Sequence, residues 1–364
     1  MKVLFCVWMI LMLFVPPGIA EKQMRLTFVG DVTLGSEEYL REKDFSLVSF
    51  AERKGYAYFF ENVRGLFAMD DLTIVNLEGV LSDSNEGENR EKTYRFRGEP
   101  GYTEILKSGS VEMVNLANNH TFDYGEHGYL DTKAALDESG ILHFGGRETI
   151  VFEKDGIRIG FLAMSYTDES RAEKEWIKEE IRRLKKEENA NAVVFCYHGG
   201  REYSEARTQK QVDIAKLAVN AGADLVIMHH PHVVQGMSIF NNRSVCYSLG
   251  NFCFGGNKNV RAMESLVVAA TLSFSDDGEY LGQQIDLYPA HISGTEPRSN
   301  YQPILVTGQD AKRVMRLVQA DTRFKLNEFD EAMGFARQEY LPAEQYFSQN
   351  RNSKFCSTRD NVCI

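Results

Sequence analysis

The segment from Asp224 to His232 constrains the fold and the chemistry of this chain more than any other. Its sequence, Asp-Leu-Val-Ile-Met-His-His-Pro-His, is an apolar run typical of a buried strand that ends in three histidines. Neutral imidazoles are the commonest metal ligands, and Pro231 stiffens the backbone between His230 and His232. The segment therefore predicts metal ligands at a strand end, and a solvated histidine-rich loop is the alternative that it leaves open on its own.

Four further apolar runs end in residues that bind metals. The runs span 26–31, 72–78, 111–120 and 193–198, and they end at Asp31, Glu78, Asn119–His120 and His198. In sheets with helical crossovers, ligands collect outside the carboxyl ends of the strands, so these side chains are expected to meet. Carboxylate, amide and imidazole groups suit two divalent ions of manganese, zinc or iron, which clamp a phosphate-like group and activate water.

The residues between these runs place apolar side chains at helical spacing. Residues 173–186 and 204–220 predict helices that cover a sheet, and Gly222 predicts the end of the second helix. This alternation of helices and strands favours an α/β domain with a largely parallel sheet. Farther along the chain, the runs 266–274 and 283–289 predict a hairpin that completes a second sheet.

Six motifs resemble those of the poly-γ-glutamate capsule biosynthesis family, whose members are CapA/PgsA-like proteins. The motifs are Val29–Asp31, Val75–Gly79, Leu116–Gly125, His198–Gly200, Gly222–Gln235 and Tyr247–Phe252. Their order and spacing match over about residues 25–255, which is most of the chain. That family is similar in fold to the calcineurin-like metallophosphoesterases, so the resemblance implies a four-layer α/β/β/α sandwich with a dimetal centre at the strand ends.

The resemblance also implies a role for each matched residue. Asp31 and His232 would bind one ion, and Glu78 would stand at the bridging position. The second ion would be bound by Asn119, His198 and His230. His120 would be left for general acid catalysis, with Asp123 orienting its ring. A turn, which Asn and Asp favour, is the alternative explanation for Asn119 and Asp123.

Substrate binding is predicted for three polar residues near these motifs: Asn118, Glu202 and Asn251. For Asn251, a glycine turn is the alternative. The chain also departs from the expected pattern at three positions. Glu78 stands where the broader superfamily has aspartate, which changes the reach of the carboxylate by one methylene. Thr33 replaces the histidine of the usual Asp-x-His motif, and Gly199 stands where tryptophan is usual. These departures predict weaker metal binding at the first ion and the loss of an aromatic wall.

Composition limits the range of partners. The chain has 364 residues, 43% of them hydrophobic, and a formal net charge of −11. It can bury a substantial core, and its negative charge disfavours nonspecific binding to nucleic acid, which is therefore not an expected partner. The expected ligand is an anionic polymer or a phosphoester substrate that the metal ions hold.

The N-terminus predicts the compartment. An uncharged apolar run over residues 3–15 precedes Pro16–Ala20, whose small residues permit cleavage after Ala20, so residues 1–20 are expected to be a signal peptide. The protein would then be exported to the periplasm or the cell surface, and an uncleaved membrane anchor is the alternative. Residues 21–295 would form the metallophosphoesterase-like domain, and residues 296–364 a helical extension with a polar tail.

The cysteines fall into two groups. Loss of Cys6 with the signal peptide would leave an odd five of the six cysteines. Cys356 and Cys363 bracket a polar tail, and a local disulfide between them is expected in an oxidising compartment. The other three are expected in the core, although Cys196 lies on the same strand face as His198 and could instead be a ligand.

Two functions from different classes remain open at this point. One is an extracytoplasmic metal-dependent hydrolase that uses His120 as the acid on a phosphoester or a related anionic bond. The other is a noncatalytic component of capsule assembly or export, which would bind a polymer such as polyglutamate and partner with membrane capsule-synthesis proteins. The resemblance favours the second role, whereas the gathering of histidines and carboxylates favours the first.

Overall fold

The computed structural model describes residues 21–168, 170–255, 260–295 and 298–343. The predicted signal peptide, the polar tail and the predicted Cys356–Cys363 disulfide lie outside the described residues. No helix within the described part of the chain is both long and apolar enough to cross a bilayer.

The described chain contains both helices and strands, in the following order along each class. The strands are β1 (Glu21–Val32), β2 (Leu72–Leu77), β3 (Val80–Leu81), β4 (Arg97–Gly98), β5 (Met113–Asn115), β6 (Leu142–Phe144), β7 (Ile150–Lys154), β8 (Ile157–Ser165), β9 (Ala192–His198), β10 (Leu225–His229), β11 (Met237–Phe240), β12 (Arg243–Cys246), β13 (Glu264–Ser275), β14 (Tyr280–His291), β15 (Ile304–Leu305), β16 (Ala336–Arg337) and β17 (Leu341–Pro342). The helices are α1 (Leu47–Lys54), α2 (Arg64–Phe67), α3 (Thr103–Ser108), α4 (Gly125–Ser139), α5 (Arg171–Lys186), α6 (Gln209–Ala221) and α7 (Gly308–Ala320).

These elements build two main sheets. The first follows the order β15-β14-β13-β1-β2-β5-β6, and β16 and β17 also pair with β14. The second follows the order β11-β12-β10-β9-β8-β7, and β3 and β4 form a small separate pair. The strands that lead to the site, β1, β2, β9 and β10, pair in parallel within each sheet. The neighbours β13 and β14 are antiparallel, so the expected largely parallel sheet is in fact mixed.

Three apolar clusters separate four layers. Alternate residues of β1 point to opposite faces, so Phe28 enters the cluster between the two sheets and Val29 enters the cluster under α1–α4. A third cluster lies between the second sheet and the helices α5 and α6. Helix α7 adds Val314 and Val318 to the cluster between the sheets. The predicted four-layer α/β/β/α sandwich is therefore confirmed.

One helix and one strand have ends that differ from the sequence prediction, and local hydrogen bonds explain both differences. The helix expected over 204–220 begins only at Gln209, because Thr208 and Gln211 form a capping box. The run 111–120 is a strand only over Met113–Asn115. The Asn115 side chain accepts a hydrogen bond from the Ala117 amide at 2.9 Å and turns the chain out of the sheet. The expected hairpin of β13 and β14 is present.

The three cysteines of the described region lie in the core, as the sequence predicted. Cys196, Cys246 and Cys253 are buried free thiols. Cys196 belongs to the apolar cluster between the sheets, and its neighbours on the adjacent strands are Ala163 and Ile227. This position supports its interpretation as a core residue.

Candidate functional site

The ends of four parallel strands meet at one end of the sandwich. Asp31 lies in β1, opposite Asn76 of β2, and His198 ends β9 opposite His229 of β10. His229 ties the two sheets together, because its Nε2 lies 2.9 Å from the carbonyl oxygen of Val29. The polar strand ends of both sheets therefore face one another, as the position of ligand sites in α/β sheets predicts.

The close approach of the chain at Asp31 depends on a glycine. A Cβ at Gly30 would lie 2.3 Å from the carbonyl oxygen of Gly250, so only glycine fits there. The contact allows the Asp31 amide to donate a hydrogen bond to the same oxygen at 2.9 Å. It also brings Asn251 beside Asp31 through an isolated β-bridge. The Val-Gly-Asp motif thus positions its carboxylate by backbone packing.

The inner ligand group consists of Asp31, Glu78 and His198. One ligand atom from each of these buried residues lies within 4.8 Å of the others. Around His198 Nε2, three further atoms approach: Asn119 Oδ1 at 2.7 Å, His230 Nδ1 at 3.1 Å and Glu78 Oε1 at 3.4 Å. These four side chains therefore present oxygen and nitrogen atoms to a common point.

The outer ligand group consists of Glu202, His230 and His232. Their ligand atoms also lie within 4.8 Å of one another, with the two histidines buried and Glu202 exposed. His232 Nδ1 lies 3.2 Å from Asp31 Oδ2 and 2.8 Å from Asn251 Oδ1. His232 consequently joins the outer ligand group to the inner one.

The buried carboxylates differ in protonation. Burial, and then the negative charge of Asp31, raise the pKa of Glu78 well above its usual range. Burial alone would raise the pKa of Asp31 too, but its hydrogen bond with His232 and the charge of that ring outweigh burial and lower the pKa. In the absence of other cations, the site therefore favours a protonated Glu78 beside an ionised Asp31.

The histidines of the site also differ in the direction in which their pKa is shifted. Burial lowers the pKa of His198 well below its usual range and that of His230 to about 4, so both rings are neutral at physiological pH. Burial alone would lower the pKa of His232, but its hydrogen bond with Asp31 and the nearby carboxylates raise it to about 10. Neutral imidazoles are the form that binds metals, so His198 and His230 need no deprotonation to act as ligands.

The donor set of this site fits divalent cations. Both carboxylate oxygens of Glu78 and the Thr33 hydroxyl are buried and have no hydrogen-bond partner among the described residues. A buried polar group in a folded protein is almost always paired, and an ion is one explanation for an exception. Mixed carboxylate, amide and imidazole ligands suit zinc, manganese or iron. A divalent ion would supply the partner that these oxygens lack.

His120 lies beside the ligand groups in a network of its own. Its Nδ1 is 2.7 Å from Asp123 Oδ2, which also accepts the Phe96 amide at 2.8 Å. Lys92 donates to Asp123 Oδ1 and, at 2.6 Å, to the carbonyl oxygen of Asn119. Asp123 is fully buried, so its carboxylate is fixed on both sides. The structure therefore joins His120 to Asp123, while the roles of acid and orienting carboxylate stay a prediction.

The three residues predicted to bind substrate lie in different settings. Asn118 is occupied within the protein: its Nδ2 donates to the Leu77 carbonyl at 2.7 Å and its Oδ1 accepts from the His120 amide at 2.9 Å. Asn251 faces His232, and Glu202 belongs to the outer ligand group. All three lie at the site, while their predicted contact with substrate stays a prediction.

Sequence reasoning missed two residues that organise the site. Asn76 donates to Asp31 Oδ1 at 2.8 Å and lies 3.2 Å from His198 Nδ1, so it holds two predicted ligands at once. Its position two residues before Glu78, in the apolar run that leads to that residue, was a usable signal. Lys92 lies in the loop between β3 and β4, where no spacing or motif marks it.

Aromatic side chains line the mouth of the site. Tyr166 packs on His230 and Phe96 packs on His120, each with ring centroids 4.6 Å apart. Phe254 lies against His232 at 5.4 Å. Aromatic surfaces of this kind restrict water and shape the space that a substrate enters.

Comparison with known proteins identifies the family. The model of the family described as bacterial capsule synthesis protein PGA_cap matches residues 25–256. The chain is 28% identical over 325 residues to the capsule biosynthesis protein CapA of Bacillus anthracis, covering 83% of this chain and 74% of that protein. It is 27% identical over 293 residues to the PGA biosynthesis protein CapA of Bacillus subtilis (strain 168), covering 74% of this chain and 73% of that protein.

A solved structure shows a more distant likeness. It comes from Staphylococcus aureus, is described as a candidate 5'-nucleotidase in complex with α-ketoglutarate, and shares 14% identity with a TM-score of 0.41. The match covers 85% of this chain but only 61% of that one. The family model, in contrast, covers well over half of the chain and includes the ends of β1, β2, β9 and β10 that lead to the site. The chain therefore belongs to the bacterial capsule synthesis PGA_cap family, as its motifs predicted.

Proposed function

We propose that this protein is an exported component of poly-γ-glutamate capsule biosynthesis that uses two divalent ions to hydrolyse a phosphoester or a related anionic bond. Family membership and the names of the two Bacillus relatives support the biological role. Export rests on the sequence of residues 1–20. The observation that carries the chemistry is the His120–Asp123 pair beside two groups of clustered ligands. Membrane capsule-synthesis proteins are the partners that this role implies.

The candidate ligands divide between two ions. Asp31 and His232 would hold one ion, and Glu78 would be shared. The other ion would be held by Asn119, His198 and His230, whose atoms surround the same point. When bound, divalent ions neutralise the anionic oxygens of a phosphoester and lower the pKa of a water molecule at the site.

His120 is the general acid of this proposal. Asp123 engages Nδ1, so Nε2 is the ring atom that faces a substrate. As the bond between phosphorus and the leaving oxygen breaks, Nε2 gives its proton to that oxygen, while the oxygen of water forms the new bond to phosphorus and the proton that the water releases passes to solvent. Lys92 and the Phe96 amide prevent Asp123 from rotating away, which keeps the ring in the orientation that transfer requires.

Replacing His120 by alanine tests this role. General acid catalysis contributes about 10²- to 10⁴-fold, so turnover of phosphoester substrates should fall by that factor while bound metal is retained. His127→Ala is the matched control, because that histidine is half-exposed on α4. Unchanged hydrolysis in His120→Ala would remove His120 from the mechanism.

A noncatalytic polymer-binding role is the second candidate, and Thr33 favours it. A buried threonine hydroxyl replaces a histidine ligand, which weakens the first ion position relative to a full hydrolase site. This role predicts that wild-type protein and His120→Ala bind polyglutamate equally and that neither hydrolyses a phosphoester panel. Turnover by wild-type protein would exclude it.

A further inference from the structure

We propose that Glu202 is a direct metal ligand that approaches the ions from the solvent side. The inference rests on the proposed metal centre, and it changes the role of Glu202 from contact with substrate to coordination. It would add one anionic oxygen to a site in which Thr33 offers only a hydroxyl.

Two backbone hydrogen bonds hold the segment that carries Glu202 against the histidine segment. The Gly199 amide donates to the carbonyl oxygen of His229 at 3.0 Å, and the Tyr203 amide donates to that of Pro231 at 2.7 Å. Glu202 directly precedes Tyr203 in the chain, so the second bond fixes its backbone beside the turn that carries His230 and His232. The position of Glu202 is therefore set by the fold, although its side chain is exposed.

The backbone conformation of both segments suits this close approach. Gly200 has φ of +138°, and a Cβ there would lie 3.0 Å from the side chains of Gln211 and Pro231, so glycine is required. His230, His232 and Tyr203 have φ values of 100°, 58° and 58°. Such conformations are strained and persist where surrounding contacts enforce them, commonly at ligand sites.

The carboxylate of Glu202 is available for an ion. Its ligand oxygen lies within 4.8 Å of ring nitrogens of His230 and His232, which the proposed function assigns to different ions. In the part of the chain that the structure describes, no lysine or arginine forms an ion pair with Glu202. A carboxylate placed between two such histidines can coordinate either ion or both.

Charge balance supports the same role. Asp31 and Glu78 bring two negative charges to two divalent ions, and a Glu202 ligand raises the number of carboxylates to three. The loaded site then keeps a net positive charge, which suits an anionic substrate. Glu78 acts from the buried floor, whereas Glu202 acts from the opening.

Metal titration of Glu202→Gln tests the inference. We expect affinity for Mn²⁺ or Zn²⁺, measured by equilibrium dialysis with plasma mass spectrometry, to fall at least about 100-fold, which is the upper end of the loss caused by removing a group that only supports a ligand. Glu202→Asp keeps the charge on a shorter stem and should bind with intermediate affinity. Glu205→Gln, an exposed neighbour on the same loop, should match the wild type. Unchanged melting temperatures without metal would show that all variants fold.

The possible failures are distinct. Wild-type metal affinity in Glu202→Gln, with or without a higher KM, would overturn the inference and leave the metal centre intact. No metal bound by the wild type would overturn both the inference and the proposed function. A selective loss in Glu202→Gln, with Glu205→Gln unaffected, would establish Glu202 as a ligand.

Discussion

Replacing Glu78 by glutamine should stabilise the metal-free protein and weaken its stabilisation by metal. The two carboxylate oxygens are buried without a hydrogen-bond partner among the described residues, and burial together with the charge of Asp31 raises the pKa of Glu78. Without metal, the wild type must bury either a proton or an uncompensated charge. An amide carries neither the charge nor the extra proton, and it would lie near the ionised Asp31, whose ligand oxygen is within 4.8 Å of that of Glu78.

The size of the effect follows from burial. Leaving a buried polar group unpaired costs about 1–3 kcal/mol, and more if it is charged. A chain of this length unfolds with an entropy of about 0.7 kcal/mol/K, so 1 kcal/mol corresponds to about 1.4 °C. Metal-free Glu78→Gln should therefore melt about 1–4 °C above the wild type at about pH 8. Metal at about 100 times its Kd should raise the wild-type melting temperature by about 4 °C, and that of the variant far less.

The difference should also depend on pH. The folded pKa of Glu78 lies above its ordinary value of 4.5, so above that pH the folded state binds more protons than the unfolded state. Wild-type stability relative to the variant is then fully present below that pH and is lost as pH rises through the folded pKa. Thermal scans of both proteins, with chelator and with Mn²⁺, at about pH 5 and about pH 8 measure the effect. A variant that melts below the wild type in chelator, with equal stabilisation of both by Mn²⁺, would refute this role.

Two further substitutions separate the acid network from the ligands. Lys92→Met should lower kcat about 10- to 100-fold with bound metal unchanged, because Lys92 fixes the carboxylate of Asp123 that orients His120. Lys107→Met, at a half-exposed surface position, is the control. A steady-state assay with metal analysis would show equal kcat in both variants if Lys92 were only structural. Asn76→Ala should weaken metal binding about 10- to 100-fold, because two predicted ligands lose a shared partner. Titration curves that overlay the wild type would contradict this expectation.

Much of the site was predictable from sequence, because its residues follow apolar runs that mark the ends of strands. Asp31, His198 and His230 follow apolar runs, and parallel strands bring their ends to one edge of a sheet, so their meeting needed no coordinates. The four layers followed from the family resemblance, and the hairpin of β13 and β14 from its turn residues. The motifs also placed His120 beside Asp123, which the structure joins by a hydrogen bond.

Contacts between distant loops were not predictable in the same way. Lys92 reaches Asp123 across 31 positions, and no periodicity in its loop marks it. The strand that ends at Asn115 is shorter than its apolar run, because a side-chain hydrogen bond competes with the sheet. The mixed direction of the sheet depends on β13 and β14, which lie far along the chain from β1. Such features arise from tertiary packing, which local propensity does not encode.

Glu202 illustrates the same limit. The sequence analysis predicted that Glu202 binds substrate, because it follows the His198 motif by only a few residues. Its proximity to His230 and His232 depends instead on two hydrogen bonds between segments about 30 residues apart. Only the folded chain shows that a residue assigned to substrate can reach the ligands themselves.

Bound metal, measured by plasma mass spectrometry on the purified protein, decides whether the strand ends form a metal centre. We predict about two ions per chain in the wild type, and their loss in a variant that combines His230→Ala and His232→Ala. Metal content of the wild type no higher than that of the variant would contradict the proposed centre.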